Sequence, residues 1–190
     1  MRAFLVAIVT VVIGIPSFGQ SPRPEAAAPK TKIEAFEAHV GSVIIRGFSS
    51  IGDVSGQFGT SVSVESREYT NASNGKKEYG VLITVSEGGR VERENSSHID
   101  YDEIESLLRG IDYVVKIKDD VTRMQGFQAD YRTKDELVVS TYSSQSGIQA
   151  AVRSGTIGGV RAFLTLLDLQ KFRELLEIAK ANIESVRAAA

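Results

Sequence analysis

The chain has no cysteine and no tryptophan, and only two histidines and four prolines among its 190 residues. Without cysteine it can form no disulfide framework, no cysteine nucleophile, and no cysteine-ligated zinc or iron–sulfur site. Lipid attachment to an N-terminal cysteine is excluded for the same reason. Two histidines leave few residues for general-base catalysis or metal binding. These absences exclude many enzymes and all disulfide-stabilised scaffolds.

The composition is that of an average globular domain, with 42% hydrophobic and 24% charged residues. It excludes a disordered chain, a collagen-like chain and a multi-span membrane protein. The formal net charge is −2, and an acidic chain is poorly suited to non-specific nucleic-acid binding, which depends on neutralising phosphates. At this length we expect one α+β domain.

The N-terminal segment has the organisation of a secretory signal peptide. A positive charge at Arg2 precedes an apolar run over residues 3–15. The small residues Ser17 and Gly19 suit cleavage after Gly19, which leaves Gln20 as the first mature residue. As a helix, the run would span ~20 Å, less than the ~30 Å hydrocarbon core of a bilayer. A cleaved signal is therefore favoured over a membrane anchor.

This interpretation predicts export and a simple domain organisation. We expect a signal peptide over 1–19, a flexible spacer rich in proline and alanine over 20–31, and a single domain over 32–190. No membrane span is expected after signal cleavage. An exported protein without disulfides is compatible with a bacterial periplasm or the extracellular medium.

The domain is predicted to have two similar halves, about 32–117 and 121–190. Each half shows short alternating apolar segments, typical of strands, and then a segment with helical period. Asn74-Gly75 is a strong hairpin signal. Residues 33–48 fit either a bent strand or a short helix followed by a strand. We expect antiparallel sheet, in one piece or two, from two ββββα units, with both amphipathic helices packed on one face.

The two helix starts support an internal repeat. Ser97 and Asp100 resemble a capping box, and a shift of 68 residues places them on Thr165 and Asp168, ahead of a helix predicted over 166–188. Any two capped amphipathic helices could agree this far. The positions predicted to face the core are Ile104, Leu107, Leu108 and Ile111 in the first helix and Phe172, Leu175, Leu176, Ala179, Ile183 and Val186 in the second.

This doubled ββββα order resembles the Whirly and PUR families, which bind single-stranded nucleic acid on a basic sheet with stacking aromatic residues. The resemblance covers element order only, with no motif in common. It implies a similar fold and, as a remote alternative, nucleic-acid binding. Because the predicted strand faces carry Ser, Thr, Glu and Gln, nucleic acid is not the expected partner.

Three residues are weak candidates for a metal site: His98, Asp100 and Asp102. A histidine among carboxylates can bind a metal, but acidic residues at a helix start also stabilise the helix dipole without any ligand. We favour the second interpretation. The other histidine, His39, is predicted in an alternating strand and has no neighbours suited to catalysis.

No catalytic or cofactor-binding residue is predicted. The glycine-rich residues 49–59 contain no lysine and precede a strand, so they do not fit a phosphate-binding loop. Residues 155–159 lie between strands and are typical of a tight bend. No Gly-x-Ser-x-Gly motif surrounds any serine.

The leading functional hypothesis is an exported, non-catalytic domain that binds a protein, a glycan or a small molecule through an open sheet face or a strand edge. The feature that favours this hypothesis is segment 140–149, whose polar side chains can form hydrogen bonds with a partner. The alternative is a carboxylate- or metal-dependent hydrolase that uses Asp100, Asp102 and Glu103. No cofactor is expected.

Overall fold

The structure, a computed structural model, describes residues 28–89 and 91–189. The predicted signal peptide and most of the predicted spacer lie outside these residues. The elements in chain order are α1 (Lys32–Glu37), β1 (Ile44–Ser55), β2 (Thr60–Asn71), β3 (Lys77–Glu87), β4 (Arg93–Asp100), α2 (Tyr101–Val115), a single 3-10 turn (Asp119–Val121), β5 (Gln128–Arg132), β6 (Val138–Ser144), β7 (Gly147–Ser154), β8 (Val160–Leu164) and α3 (Leu166–Ala188).

The strands form two antiparallel four-stranded sheets, in the orders β1-β2-β3-β4 (sheet 1) and β5-β6-β7-β8 (sheet 2). Each sheet is followed by a helix, so the predicted α+β class with two ββββα halves is confirmed. The period-2 pattern explains the burial: Val62, Val64 and Ile83 point inward and are fully buried, and the polar residues between them face outward.

One hydrophobic core serves both halves. Helix α3 lies across sheet 1, where Ser66 Oγ on β2 donates a hydrogen bond to the Ala179 carbonyl at 3.2 Å. Helix α2 lies against sheet 2, where Thr141 Oγ1 on β6 donates to the Val114 carbonyl at 3.1 Å. It also packs on β3 and β4 of its own half. Each helix therefore contacts the sheet of the other half.

The two sheets also meet directly. The turn between β1 and β2 reaches β8, where the Gln57 N–H donates to the Phe163 carbonyl at 2.7 Å. The hydroxyl groups of Ser97 on β4 and Ser154 on β7 are hydrogen-bonded at 2.7 Å inside the core. These contacts fix sheet 2 against the turn between β1 and β2 and against β4.

The predicted start of α2 is wrong. Ser97 belongs to β4 and points into the core, and the N-cap is Asp100, whose side chain makes no capping hydrogen bond to its own helix. Helix α3 does begin with a capping box, between Thr165 and Asp168. The two N-caps, Asp100 and Thr165, are therefore 65 residues apart, whereas the predicted capping boxes were 68 apart.

Of the two alternatives for residues 33–48, a short helix followed by a strand is confirmed. The prediction for His39 is wrong, because it lies exposed just after α1 rather than in a strand. Strand β1 continues to Ser55, with a bulge between Ser50 and Gly52, so the predicted loop 49–59 shrinks to a four-residue turn. Helix α2 continues to Val115.

In the described ranges, no helix has the length and apolarity needed to cross a membrane.

Candidate functional site

The three candidate metal ligands each interact with other residues of the protein. His98 lies on β4, where its backbone N–H donates to Asp135 Oδ2 at 2.7 Å and its ring Nδ1 lies 3.7 Å from the same oxygen. Its ring also contacts the buried Tyr69 ring edge-on. His98 therefore connects sheet 1 to the turn between β5 and β6.

Asp100 is almost completely buried, with 1% of its surface exposed. Its carboxylate accepts hydrogen bonds from the backbone N–H groups of Lys32 at 3.0 Å and Ile33 at 3.2 Å. Lys134 Nζ lies 3.4 Å from the same carboxylate. These N–H groups belong to the first turn of α1 and have no partner within that helix. Asp100 thus fastens α1 to the end of β4.

Asp102 and Glu103 also have structural partners. Asp102 pairs with Lys32 Nζ at 2.9 Å, and Glu103 Oε1 accepts the Lys134 N–H at 2.9 Å. Burial raises the pKa of Glu103, and its Oε2 atom is buried without a hydrogen-bond partner. The described residues contain no group of three or more side chains placed to hold a metal ion. The carboxylates of the hydrolase alternative thus contact lysines and backbone amides.

A different surface combines charge and aromatic rings: the outer face of sheet 2, which points away from the core. In each strand, the residues next to the core positions Val139, Val152 and Ala162 point to this face. The strand register places Arg132, Val138, Arg153 and Arg161 side by side across β5, β6, β7 and β8. We call the three arginines of this set the arginine row.

The spacing of the arginine row follows from sheet geometry. Adjacent strands lie ~4.8 Å apart, so Arg153 and Arg161 are direct neighbours, and Arg132 lies two strand spacings, ~10 Å, from Arg153. Val138 separates them on β6 and is 4% exposed. The row therefore presents three guanidinium groups above a small apolar floor.

Aromatic residues stand beside the arginine row. The next row along the strands consists of Asp130, Ser140, Ala151 and Phe163, and the one after it of Gln128, Tyr142 and Gln149. The Arg161 guanidinium lies 6.0 Å from the centroid of the Phe163 ring. The arginine row thus has a ring in the row beside it.

Phe58 extends this face from sheet 1. Its ring is 80% exposed and meets Phe163 edge-on, with 5.8 Å between the centroids. Its φ is 57°, in the left-handed region that bulky residues avoid. The turn is held in place by the Gln57 backbone bridge and by a side-chain hydrogen bond from Gln57 Nε2 to Gln149 Oε1 at 3.2 Å. A strained turn therefore presents an exposed ring next to the arginine row.

The arginine row has no acidic partner among the described residues. Five other arginines of the described residues do form ion pairs, and none of them belongs to the row: Arg46, Arg67, Arg93, Arg109 and Arg173. Asp130, the acidic residue in the neighbouring row, accepts hydrogen bonds from Gln128 Nε2 at 2.9 and 3.1 Å. The guanidinium groups of the row remain available for an external anion.

The sequence pattern indicated this face only in part. Segment 140–149 does form the β6–β7 hairpin, but Thr141 points inward and Ser143 binds Phe127. The predicted strand faces of Ser, Thr, Glu and Gln left out the arginines that the outer face of sheet 2 carries. The alternation of Gln149, Ala151 and Arg153 was visible in the sequence, but only the strand register shows that Arg132 and Arg161 share its row.

Comparisons with known protein families, with curated proteins and with solved structures give no match to this chain.

Proposed function

We propose that this chain is an exported, non-catalytic domain that binds a carboxylate-bearing glycan on the outer face of sheet 2. The observation that carries the proposal is the arginine row: three guanidinium groups without an acidic partner among residues 28–89 and 91–189, on a face that also exposes aromatic rings. The compartment is inferred from the signal-like pattern of residues 1–19.

The charge of the face supports an anionic ligand. A guanidinium group presents paired N–H donors that match a carboxylate, and such hydrogen bonds are stronger than those between neutral groups. Arg153 and Arg161 lie on adjacent strands and can contact one carboxylate together or two successive ones. Arg132 would contact a further acidic group along the chain.

The rings support a ligand built from sugar units. A pyranose has an apolar face of C–H groups and a polar rim, and aromatic side chains supply rigid contact area for such a face. Phe58 and Phe163 provide two rings in edge-to-face contact. Tyr142 adds a third ring on the same face, with a hydroxyl group for hydrogen bonding.

The same chemistry is less suited to a nucleic acid. A single-stranded nucleic acid gains affinity by neutralising many phosphates, whereas this chain has a net charge of −2 and only three arginines in the row. Nucleic acid, the partner implied by the Whirly and PUR resemblance, is therefore an alternative outcome of the test.

The test is a calorimetric titration of the purified chain with an oligogalacturonate. Its methyl ester, which has the same rings without charge, is the control ligand. We expect the acid form to bind and the ester to bind far more weakly. Replacing Arg153 or Arg161 with Gln should weaken binding about tenfold each, the effect of losing one charge-assisted hydrogen bond.

Arg109→Gln is the matched control variant, because Arg109 lies on the exposed side of α2 and its one acidic partner in the described part of the chain is Glu105. It should leave binding unchanged. Equal binding of acid and ester, or tighter binding of a single-stranded oligonucleotide, would contradict the glycan assignment. Export is checked separately by N-terminal sequencing of secreted protein, which should begin at Gln20.

A further inference from the structure

Strand β1 is the longest edge strand, and the other three edges are short or partly bonded to other segments. The His98 N–H on β4 is bonded to Asp135, and Phe163 on β8 is bonded through both backbone groups, its carbonyl to Gln57 and its N–H to Thr60. Strand β5 has only five residues, three of them polar and outward-facing. Native proteins normally shorten, charge or cover sheet edges in these ways.

The first seven residues of β1, 44–50, have no backbone partner on their outer side in the part of the chain that the structure describes, and their one charged side chain, Arg46, is paired with Glu37. They are extended and in register with β2. Ile45 is 56% and Phe48 68% exposed, and the segment contains no proline. A long, exposed edge with apolar side chains is a template for pairing with another strand.

The register with β2 shows which backbone groups are free. The Ala72 N–H donates to the Val43 carbonyl at 2.9 Å, so Val43 directs its polar groups toward β2. In an antiparallel ladder this direction alternates along the strand. Ile44, Arg46, Phe48 and Ser50 therefore direct their N–H and C=O groups outward, ready to accept an added strand.

We propose that β1 pairs antiparallel with β1 of a second copy of this chain, with Gly47 opposite Gly47 on a twofold axis. A twofold axis perpendicular to the sheet keeps the same face on both copies, so opposing residues must share a face. In this register the residues whose backbone groups point outward lie opposite one another and can exchange hydrogen bonds. Arg46 pairs with the second copy's Phe48, and Ile44 pairs with the second copy's Ser50.

The side chains on the outer face of sheet 1 are complementary in this register. Within one copy, Arg46 lies opposite Tyr69 on β2, and Phe48 lies opposite Arg67, whose guanidinium is 5.1 Å from the ring centroid. In the dimer, one row of side chains would run across the axis: Tyr69 and Arg46 of one copy, followed by Phe48 and Arg67 of the second copy. Rings and cations alternate throughout this row, and each Phe48 ring gains a second cation.

Neighbouring registers lack this complementarity. Centring the pair on Arg46 would place two arginines opposite each other, and like charges directly opposite destabilise a sheet. Centring it on Phe48 would place Arg46 opposite the second copy's Ser50. Glu37 and Glu65 pair with Arg46 and Arg67, so the row on the Gly47 axis carries balanced charge.

Gly47 is also suited to a position on the twofold axis when the other face of sheet 1, on which α3 packs, is considered. It has no side chain, and a Cβ placed there would lie 3.7 Å from the Glu68 Cβ, an ordinary contact. The C-terminal turns of α3 lie beside it, with Ile183 buried and Val186 41% exposed. The second copy would cover this exposed apolar surface.

Sedimentation equilibrium of the purified chain over a range of concentrations tests the proposal. Because a seven-residue strand pair is a small interface, we expect a concentration-dependent doubling of mass from 20.6 kDa. Phe48→Ser should abolish the doubling. A wild-type chain that stays monomeric at all concentrations would overturn the proposal.

The absence of cysteine allows a direct test of the register. Gly47→Cys should form an intermolecular disulfide under mild oxidation, because directly opposed residues of an antiparallel pair bring their Cβ atoms within bonding range. Ser49→Cys is the matched control: it lies on the same face, one step along, opposite the second copy's Ile45, and should remain a monomer under denaturing conditions.

Circular dichroism of both cysteine variants checks that they fold. A dimer in which Ser49→Cys cross-links as readily as Gly47→Cys would contradict this register. This proposal is independent of glycan binding, since its residues lie on sheet 1 and the arginine row lies on sheet 2.

Discussion

Asp100 shows how one carboxylate can suggest a ligand site and yet hold the fold together. In the sequence it stands near His98 and Asp102, a spacing that fits a metal. In the structure it accepts the first N–H groups of α1, a helix 67 residues earlier in the chain. No local pattern could predict this, because the partner is set by tertiary packing.

We predict that Asp100→Asn destabilises the protein by about 1–3 kcal/mol, because one buried N–H of α1 then loses its acceptor. Asp168→Asn should cost less, about 0.5–2 kcal/mol, because Asp168 is only half-buried and Thr165 still caps α3. Thermal unfolding with and without a divalent cation measures both. A cation-dependent stabilisation of the wild type, lost only in Asp100→Asn, would restore the metal hypothesis.

Glu103 should make stability fall as pH rises above about 4.5. Burial raises its pKa in the folded chain above the ordinary value of 4.5. Between that value and the folded-state pKa, the folded chain binds more protons than the unfolded chain, so raising the pH favours unfolding. At neutral pH the charged, buried carboxylate therefore lowers the stability.

Glu103→Gln should raise the unfolding temperature at pH 7 and have little effect at acidic pH, where the wild-type carboxyl is already neutral. The amide keeps an oxygen that can accept the Lys134 N–H. Glu105→Gln is the control of opposite sign, because hydrogen bonding to Lys180 lowers the pKa of Glu105. An unfolding temperature of Glu103→Gln below the wild type at pH 7 would refute the burial argument.

Among the elements, α3 was predicted closely and α2 was not. The bounds of α3, Leu166–Ala188, agree with prediction because Thr165 and Asp168 form a local capping box. The start of α2 was misplaced because Ser97 and Asp100 imitate such a box within a strand. Strand alternation places Ser97 inward with Ile99, and this tertiary demand overrides the local signal.

The spacing of 65 residues between the two N-caps also changes which core positions correspond. The buried apolar side chains of α2 are Ile104, Leu107, Leu108, Ile111 and Val114, and all of them except Leu108 fall on buried residues of α3, namely Leu169, Phe172, Leu176 and Ala179. Leu108 and Leu176 are both core residues, as predicted, but they do not occupy equivalent positions. Leu175 is only partly buried, and Val186 is exposed.

We predict that Leu176→Ala costs about 2–5 kcal/mol, the range for a buried leucine. Leu108→Ala should cost a similar amount. Leu175→Ala, one residue away with the same chemistry but partial burial, is the matched control and should cost clearly less. Urea denaturation gives the three free energies of unfolding. Equal losses for Leu175→Ala and Leu176→Ala would contradict the helix orientation described here.

For the whole molecule, the sequence predicted the class and the order of elements but not how the halves are assembled. Hydrophobic period and turn residues are local, so they indicate strands and helices. The crossing of α2 and α3 onto the opposite sheets, and the alignment of Arg132 with Arg153 and Arg161, depend on contacts between residues far apart in sequence. The candidate ligand-binding face of sheet 2 could therefore not be predicted from the sequence alone.

The crossed helices predict that neither half folds alone. A fragment of residues 28–117 keeps sheet 1 but loses α3, which covers β1 and β2, so Val62 and Val64 would face water. A fragment of residues 118–190 loses α2, to which Thr141 is bonded. Each fragment of fewer than 100 residues would lack much of its core, and small domains have little stability to spare.

Amide chemical-shift dispersion of each fragment should be that of an unfolded chain, and mixing the two should restore the dispersion of the intact protein. The control is the intact chain cut after folding at the exposed 3-10 turn Asp119–Val121, which should stay folded because the cut breaks no core contact. Cooperative unfolding of fragment 28–117 by itself would show that sheet 1 is stable without α3. The two halves would then be separate domains rather than parts of one core.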